Sequence, residues 1–246
     1  MNRPALVAGG TGGIGREVVR ALAAAGAPVA FTYRSSAEVA ADLVSQVPGA
    51  RSYALDLTDH DATAAVVARA VTDLGGLSTL VYASGPHVPM RHLSRVSPAE
   101  MRVQLDADAA AFFALVSAAL PALRESGGSI VAVTTAATTR FAVRDGLSAA
   151  PKAAVEALVR GLAVEEGRFG VRANCVGPGM LSDGMAQRLI AAGDLDEAAL
   201  EAARRNTPLR RFGTAADVAE AVAFLASDAA GFITGQKLDV DGGYGA

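Results

Sequence analysis

The sequence predicts an α/β protein with one doubly wound domain, in which helices flank a seven-stranded parallel sheet. Short apolar runs bounded by Gly, Pro, Asn or Asp alternate with longer Ala-rich segments of helical period. A glycine-rich stretch follows the first apolar run and precedes the first helical segment. The chain has 246 residues, 51% of them hydrophobic and 19% charged. A chain of this length and composition can form one domain with a buried hydrophobic core.

The apolar runs and the helical segments fix the order of the elements. Seven strands are predicted at residues 5–8, 28–33, 51–55, 79–83, 129–134, 172–176 and 237–240. Six helices are predicted at residues 13–25, 37–46, 61–74, 98–123, 149–167 and 215–227. The polar, Ala-rich stretch 184–208 interrupts this alternation, and it predicts a helical substrate lid over about residues 181–208. A surface helical hairpin is the alternative interpretation of the same stretch.

Bulk composition excludes several function classes. The formal net charge is −3 and no basic run is present, so no nucleic-acid partner is expected. The single cysteine cannot form an intrachain disulfide, and no Cys/His spacing indicates a metal site. We find no apolar run of the ~18 residues that a spanning helix needs, nor a signal peptide, so we expect a cytoplasmic protein with no membrane partner.

The glycine-rich stretch, LVAGGTGGIG at residues 6–15, is typical of a dinucleotide-binding loop in a Rossmann-like fold. Glycines permit a tight turn there and let backbone N–H groups approach a pyrophosphate at the helix N-terminus. The candidate cofactor-binding residues in the loop are Gly9, Thr11, Gly13, Ile14 and Gly15. A purely structural glycine turn is the alternative.

The end of the second strand indicates which dinucleotide binds. An NAD site generally offers a carboxylate there to the ribose 2′-hydroxyl, whereas a 2′-phosphate prefers a guanidinium and hydroxyls. This chain has Thr32, Arg34 and Ser35 at that position. The pattern favours NADP(H) over NAD(H), unless Arg34 is an ordinary solvated residue at the start of a helix.

Several further motifs resemble those of the short-chain dehydrogenase/reductase family, and together they cover essentially the whole chain. They are DLTD at 56–59, YASG at 82–85, SAAPKAAV at 148–155, NCVGPG at 174–179, RFG at 211–213 and DGGY at 241–244. The resemblance implies a nicotinamide cofactor and a dimer or tetramer, here a homotetramer. It adds to the cofactor-binding residues Asp56, Leu57, Ala83, Ser84, Gly85, Lys152, Pro178 and Gly179. Ala8 replaces a threonine of the family loop, and YASG replaces its Asn-Asn-Ala-Gly.

The resemblance also implies the catalytic positions, and several of them differ from the family pattern. Thr135 takes the place of the substrate-positioning serine, and Asp108 that of an asparagine which holds a proton-relay water. Lys152 matches the family lysine, which holds the ribose of the nicotinamide. Ser148 occupies the position of the family tyrosine, and an alkyl hydroxyl is far less acidic than a phenol of pKa ~10.

Three functions are compatible with this altered set. The first is an NADP(H)-dependent reductase of a conjugated C=C bond in an enoyl thioester-like substrate, with Thr135 and Ser148 as donors to the enolate oxygen. The second is a carbonyl reductase in which His87 supplies the proton, because its intrinsic pKa of ~6.5 suits that task. The third is a non-redox isomerase or cyclase, or a pseudoenzyme that keeps the cofactor. A largely apolar small-molecule substrate is expected from the nearby residues Met90, Phe141, Met180, Leu181 and Met185.

Overall fold

A seven-stranded, fully parallel sheet forms the centre of the computed structural model, which describes residues 3–86, 88–183 and 197–246. The strand order is β3-β2-β1-β4-β5-β6-β7. The strands are β1 Ala5–Ala8, β2 Val29–Tyr33, β3 Arg51–Ala54, β4 Thr79–Tyr82, β5 Ser129–Val133, β6 Arg172–Pro178 and β7 Lys237–Val240. The order reverses between β1 and β4, which places a crevice at the carboxyl ends of these two strands. The predicted fold class is confirmed.

Helices cover both faces of this sheet. They are α1 Gly13–Ala24, α2 Ala37–Gln46, α3 His60–Leu74, α4 Pro98–Leu105, α5 Ala111–Ser126, α6 Gly146–Glu166, α7 Glu197–Asn206 and α8 Ala215–Ala226. Residues 184–196 of the predicted lid, together with Met185 and His87, lie outside the described residues.

The alternation of side chains along the strands builds two cores. Leu6, Leu80 and Tyr82 pack against α3, α5 and α6 on one face. Val7 and Val81, the neighbours of the first two in sequence, pack against α1 and α8 on the other face. A parallel strand that is buried on both faces consists almost entirely of hydrophobic residues. For this reason the short apolar runs in the sequence predicted the strands correctly.

Two predicted helices were wrong in detail. The helix predicted at 98–123 is divided by a π-helical turn, Asp106–Ala110, between α4 and α5. The helix predicted to begin at 149 begins at Gly146, since the Asp145 carbonyl accepts hydrogen bonds from the N–H groups of Ser148 at 3.1 Å and Ala149 at 2.8 Å. A Cβ at Gly146 would overlap the Leu93 side chain, so a larger residue at this position would require Leu93 to move.

The helical stretch Pro98–Ser126 is long and apolar enough to cross a membrane by length and composition, contrary to the expectation from the sequence. Core helices of soluble proteins pass the same test. The α5 part of this stretch buries six apolar residues: Ala111, Phe112, Leu115, Val116, Ala119 and Leu123. Their burial gives the apolar face of α5 a partner inside the protein.

Candidate functional site

The glycine-rich loop joins β1 to α1 at the crevice, and a neighbouring strand holds it in place. The N–H of Gly9 donates to the Thr32 hydroxyl at 3.3 Å, and the N–H of Gly10 donates to the Thr32 carbonyl at 2.9 Å. Thr32 is only 2% exposed. The Thr32 hydroxyl therefore braces the loop, which is the role of the family threonine that Ala8 replaces. Thr32 does not face outward, whereas Arg34 and Ser35 do.

Glycine is sterically required at two points of this loop. A Cβ on Gly15 would overlap the carbonyl oxygen of Gly9, and a Cβ on Gly10 would overlap the Phe31 ring. Gly9 itself has a φ of 84°, in the left-handed region that disfavours side chains. Because these glycines have no side chains, a ligand can come into direct contact with the backbone of the loop and of the helix N-terminus.

The donors at this N-terminus fit a pyrophosphate. Within the described residues, the N–H groups of Gly13, Ile14 and Gly15 donate to no backbone carbonyl. The first turn of α1 contains no acidic residue, so nothing repels an anion from the positive end of the helix. Thr11, beside them, is half-buried. The donor set and the steric cradle both suit a dinucleotide.

The other predicted cofactor-binding residues on this side of the crevice follow the carboxyl ends of β2 and β3. Arg34 and Ser35 are exposed. The Asp56 carboxylate accepts from the N–H of Thr58 at 3.0 Å and from its hydroxyl at 2.8 Å. These bonds, with a further contribution from the Arg34 charge, lower the pKa of Asp56 below its ordinary value. Leu57 is 8% exposed and packs in the core, so it can contact a ligand only through its backbone.

A buried ion pair occupies the centre of the candidate active site. Lys152 on α6 donates from Nζ to Asp108 Oδ1 at 2.9 Å and to the Ser84 carbonyl oxygen at 3.0 Å. The two side chains are 11% and 4% exposed. An ammonium group has three N–H donors, and these contacts use two of them. The third remains for a ligand at the carboxyl end of β4.

Tyr82 completes this cluster. Its hydroxyl lies 3.0 Å from Asp108 Oδ1, to which it donates, and Lys152 Nζ lies 5.0 Å from the centre of its ring. Burial and the Asp108 charge raise the pKa of Tyr82 well above its ordinary value. With 0% exposure, this phenol cannot reach a substrate, so it does not replace the missing tyrosine at position 148.

The π-helical turn places Asp108 at this point. Such a turn inserts one extra residue into a helix, and it is common at functional sites. Asp108 thereby reaches inward to Lys152 and Tyr82 while α5 continues beyond it. We predicted that Asp108 holds a water; in the structure it accepts directly from Lys152 and Tyr82. Tyr82 itself was missed, and its only sequence signal is an aromatic residue at the end of a buried strand.

The two predicted substrate-binding hydroxyls lie at the ends of β5 and α6 that face the crevice. Thr135 follows β5 and is half-buried, and its Oγ1 accepts from the N–H of Ala137 at 3.1 Å, so its own O–H remains free to donate. Ser148 lies in the first turn of α6, one turn before Lys152, and is half-buried. Both hydroxyls can therefore serve as hydrogen-bond donors.

An ionic network holds the segment that carries Thr135. The Thr138 hydroxyl donates to Glu156 at 2.7 Å, and Lys237 on β7 donates to the Thr139 hydroxyl at 2.9 Å. Thr139 in turn donates to Asp239 at 2.8 Å. This network ties the turn after β5 to α6 and β7, which fixes the position of Thr135.

The remaining predicted cofactor residues lie at the carboxyl ends of β4 and β6. Ala83 and Ser84 are half-buried, and Gly85 is exposed beside Lys152. Pro178 ends β6 opposite Val240, and the N–H of Gly179 donates to the Val240 carbonyl at 3.0 Å. His87, the predicted substitute acid, lies outside the described residues.

Comparison with known proteins agrees with this arrangement. Residues 8–245 match the family model described as enoyl-(acyl carrier protein) reductase. A cis-4-hydroxycyclohexanecarboxylate dehydrogenase of Sinomonas cyclohexanicum is 36% identical over 249 residues, covering 99% of this chain and 97% of the relative. An L-fucose dehydrogenase of Oryctolagus cuniculus is 32% identical over 238 residues, covering 97% of this chain and 83% of the relative.

Solved structures show the same relationship. A short-chain dehydrogenase of Burkholderia cenocepacia J2315, crystallised in complex with NADP, superposes with a TM-score of 0.90 at 33% identity, covering 99% of this chain and 98% of the other. The chain therefore belongs to the short-chain dehydrogenase/reductase family of oxidoreductases.

Proposed function

We propose that this protein is an NADP(H)-dependent reductase of a polarised double bond, and that a conjugated C=C bond in an enoyl thioester-like substrate is the first candidate. The observation that carries the proposal is the combination of a dinucleotide cradle and a buried Lys152 with two hydroxyls. Thr135 takes the position of the family serine, and Ser148 takes the position of the family tyrosine. NADPH, when bound, supplies the hydride. The residues of the chain must then bind and orient both ligands.

The substrate side follows from these hydroxyls. When hydride adds to the β-carbon of a conjugated thioester, negative charge develops on the thioester oxygen. Hydrogen-bond donors placed at that oxygen stabilise the charge in the transition state. Thr135 and Ser148 are donors of this kind. The description of the matching family model supports the same substrate class.

Reduction of a simple carbonyl is the second candidate, and the names of two relatives support it. Two relatives are named as dehydrogenases of fucose and of a hydroxycyclohexanecarboxylate, which are hydroxyl compounds. This reaction needs a proton at the carbonyl oxygen as hydride arrives. His87 is the group that we propose for that proton. If the acid alone is missing, Ser148→Tyr should increase the rate with ketones.

A polar segment beside the crevice supports the predicted lid. The backbone of Ser182 and Gly213 is joined by a 2.8 Å hydrogen bond, and Asp183 accepts from the N–H of Ala215 at 3.1 Å. These contacts hold the chain after β6 against the start of α8. We propose that residues 181–208 cover the substrate; the cytoplasmic location and the dimeric or tetrameric state stay predictions.

The first experiment is a calorimetric titration of the purified protein with NADPH and NADH. Micromolar binding of NADPH, followed by its oxidation in the presence of an enoyl thioester, supports the proposal. Oxidation with ketones alone supports the second candidate. Absence of binding of either nucleotide contradicts both, and it leaves a non-redox isomerase or cyclase.

Arg34 should determine the cofactor preference. Arg34→Asp is expected to weaken NADPH binding by about 10- to 100-fold, because a hydrogen-bonded charge contact of roughly 1.5–3 kcal/mol is lost. NADH binding should fall much less, since NADH has no 2′-phosphate. Calorimetry with both nucleotides measures the ratio.

The matched control for this variant is Arg51→Asp. Arg51 is the first residue of β3 and lies at the amino ends of the strands, whereas Arg34 follows the carboxyl end of β2. The same change of charge at Arg51 should therefore leave the ratio of the two affinities unchanged. Equal losses of NADPH and NADH in the Arg34 variant would show that the guanidinium does not recognise the 2′-phosphate.

A further inference from the structure

The DGGY motif forms a compact turn after β7, and the proposed reaction does not use it. In this C-terminal turn, residues 241–246, the Asp241 carboxylate accepts from the N–H of Gly243 at 2.8 Å and from that of Gly245 at 2.7 Å. Gly242 has a φ of 66° and Gly243 a φ of 88°, in the left-handed region that favours glycine. These bonds and these glycines give the C-terminal turn a fixed shape.

The C-terminal turn packs against two predicted walls of the crevice. A Cβ on Gly179 would lie 2.7 Å from the Cα of Asp241, so the turn directly contacts the predicted cofactor-binding residues after β6. In addition, the Gly242 carbonyl accepts from the N–H of Leu209 at 3.1 Å, and a Cβ on Gly242 would lie 2.7 Å from Thr207 Cγ2. Thr207 is among the last residues of the predicted lid.

Arg140 joins the C-terminal turn to a third wall, the segment that carries Thr135. Its Nη1 donates to the Tyr244 carbonyl oxygen at 2.9 Å, and its guanidinium carbon lies 4.7 Å from the centre of the Tyr244 ring. A guanidinium is attracted to an aromatic face, and here a charged hydrogen bond accompanies that contact. A Cβ on Gly245 would lie 3.3 Å from Thr139 Cγ2, so the two segments also touch beside it. We call the contact between Arg140 and Tyr244 the clasp.

The clasp acts where the segment after β5 reaches the surface. The N–H groups of Thr139 and Arg140 both donate to the Ala136 carbonyl, at 2.9 and 3.1 Å, and these bonds close a tight turn. Beyond this turn the chain is exposed, since Phe141 and Val143 are 57% and 71% accessible to solvent. Arg140 therefore anchors the segment directly before its exposed stretch.

The anchored segment joins the two hydroxyls that are proposed to bind the substrate oxygen. Thr135 precedes Arg140 by five residues, and Ser148 follows it by eight. The ionic network around Thr138 holds the segment to α6 and β7, and the clasp holds it to the C-terminal turn. A misplacement of about 1 Å can cost on the order of 100-fold in rate, so an anchor between two donors affects the reaction.

We propose that Arg140 and Tyr244 are positioning residues for the substrate-binding hydroxyls, and that the C-terminal turn holds three walls of the crevice together through its contacts. The inference rests on the proposed function for its reaction. In this role neither residue touches the substrate. The clasp uses the ring and the backbone carbonyl of Tyr244, so the phenol hydroxyl has no part in it.

Hydrogen exchange in the free protein tests the clasp. The amides of Ala137 and Thr139, measured by NMR, should exchange about tenfold faster in Arg140→Ala, because both the hydrogen bond and the ring contact are lost. Tyr244→Ala keeps the carbonyl and should raise the rates about threefold. Tyr244→Phe keeps the ring as well, so wild-type rates are expected. Unchanged rates in Arg140→Ala, or equal rates in the two Tyr244 variants, would overturn the proposal.

Phe169→Ala is the matched control for the loss of the ring. The guanidinium carbon of Arg124 lies 4.8 Å from the centre of the Phe169 ring, but Phe169 precedes β6 at the amino ends of the strands. Its loss should therefore leave the exchange of Ala137 and Thr139 unchanged. An increase of equal size in Phe169→Ala and Tyr244→Ala would show a general loss of stability and would contradict a local clasp.

Steady-state kinetics tests the positioning of the donors. Arg140→Ala should lower kcat about tenfold with an unchanged calorimetric affinity for NADPH, and Tyr244→Phe should retain the wild-type kcat. Loss of activity in Tyr244→Phe would make the hydroxyl a reacting group, and equal losses of kcat and NADPH affinity in Arg140→Ala would show a general structural role. Either result overturns the proposal. The expected exchange rates in a protein that oxidises no NADPH would support the clasp and refute the proposed reductase.

Discussion

Asp108→Asn is expected to lower the free energy of unfolding by about 3–5 kcal/mol, because it removes one partner of a buried ion pair. Lys152 is 8% exposed and Asp108 3% exposed, so water cannot solvate the charge that is left behind. The asparagine is nearly the same size as aspartate, and the loss therefore reports charge more than packing. Urea denaturation at neutral pH, followed by circular dichroism, measures it.

A double-mutant cycle separates this charge effect from other consequences. Adding Lys152→Met to Asp108→Asn removes the unpaired charge, and most of the lost stability should return. The matched control is Glu201→Gln, which breaks an exposed pair with Arg204 at 3.5 Å and should cost less than about 1 kcal/mol. Additive losses in the double variant would show that the two charges do not interact in the folded protein.

Gly15→Ala is expected to abolish tight dinucleotide binding, with a loss on the order of 100-fold in NADPH affinity. The added Cβ would overlap the Gly9 carbonyl oxygen and lie 2.9 Å from its carbon, so the loop or the helix must move. Moving either separates the N–H groups of α1 from the position of the pyrophosphate, and about 3 kcal/mol of charged hydrogen bonding is lost. Calorimetric titration with NADPH measures the affinity.

Gly161→Ala is the matched control for this variant. A Cβ at Gly161, in the middle of α6, meets no atom within 4 Å. Alanine is the better helix former, so this variant should gain roughly 0.5–1 kcal/mol of stability and bind NADPH normally. If Gly15→Ala binds as tightly as Gly161→Ala, the loop is a structural turn and does not hold the cofactor.

The amino-acid sequence alone determined the parallel sheet, the order of its elements and the position of the glycine-rich loop. These features depend on patterns local in the chain: apolar runs that a doubly covered strand requires, and glycines that a tight turn before a helix requires. Lys152 and Thr135 were predicted through the resemblance of their surroundings to family motifs; the structure places Lys152 in a buried ion pair and Thr135 directly after β5.

Tertiary structure decided what those residues contact. The π-helical turn that directs Asp108 inward has no local signal, since it is set by the packing of Lys152 and Tyr82 against it. The contact of Lys152 with the Ser84 carbonyl oxygen joins residues 68 positions apart in the chain. Contacts between such distant segments, and the burial that raises the pKa of Tyr82, arise only when the chain is folded. For that reason the sequence predicts which residues form the candidate active site, and the folded structure determines which of them are in contact.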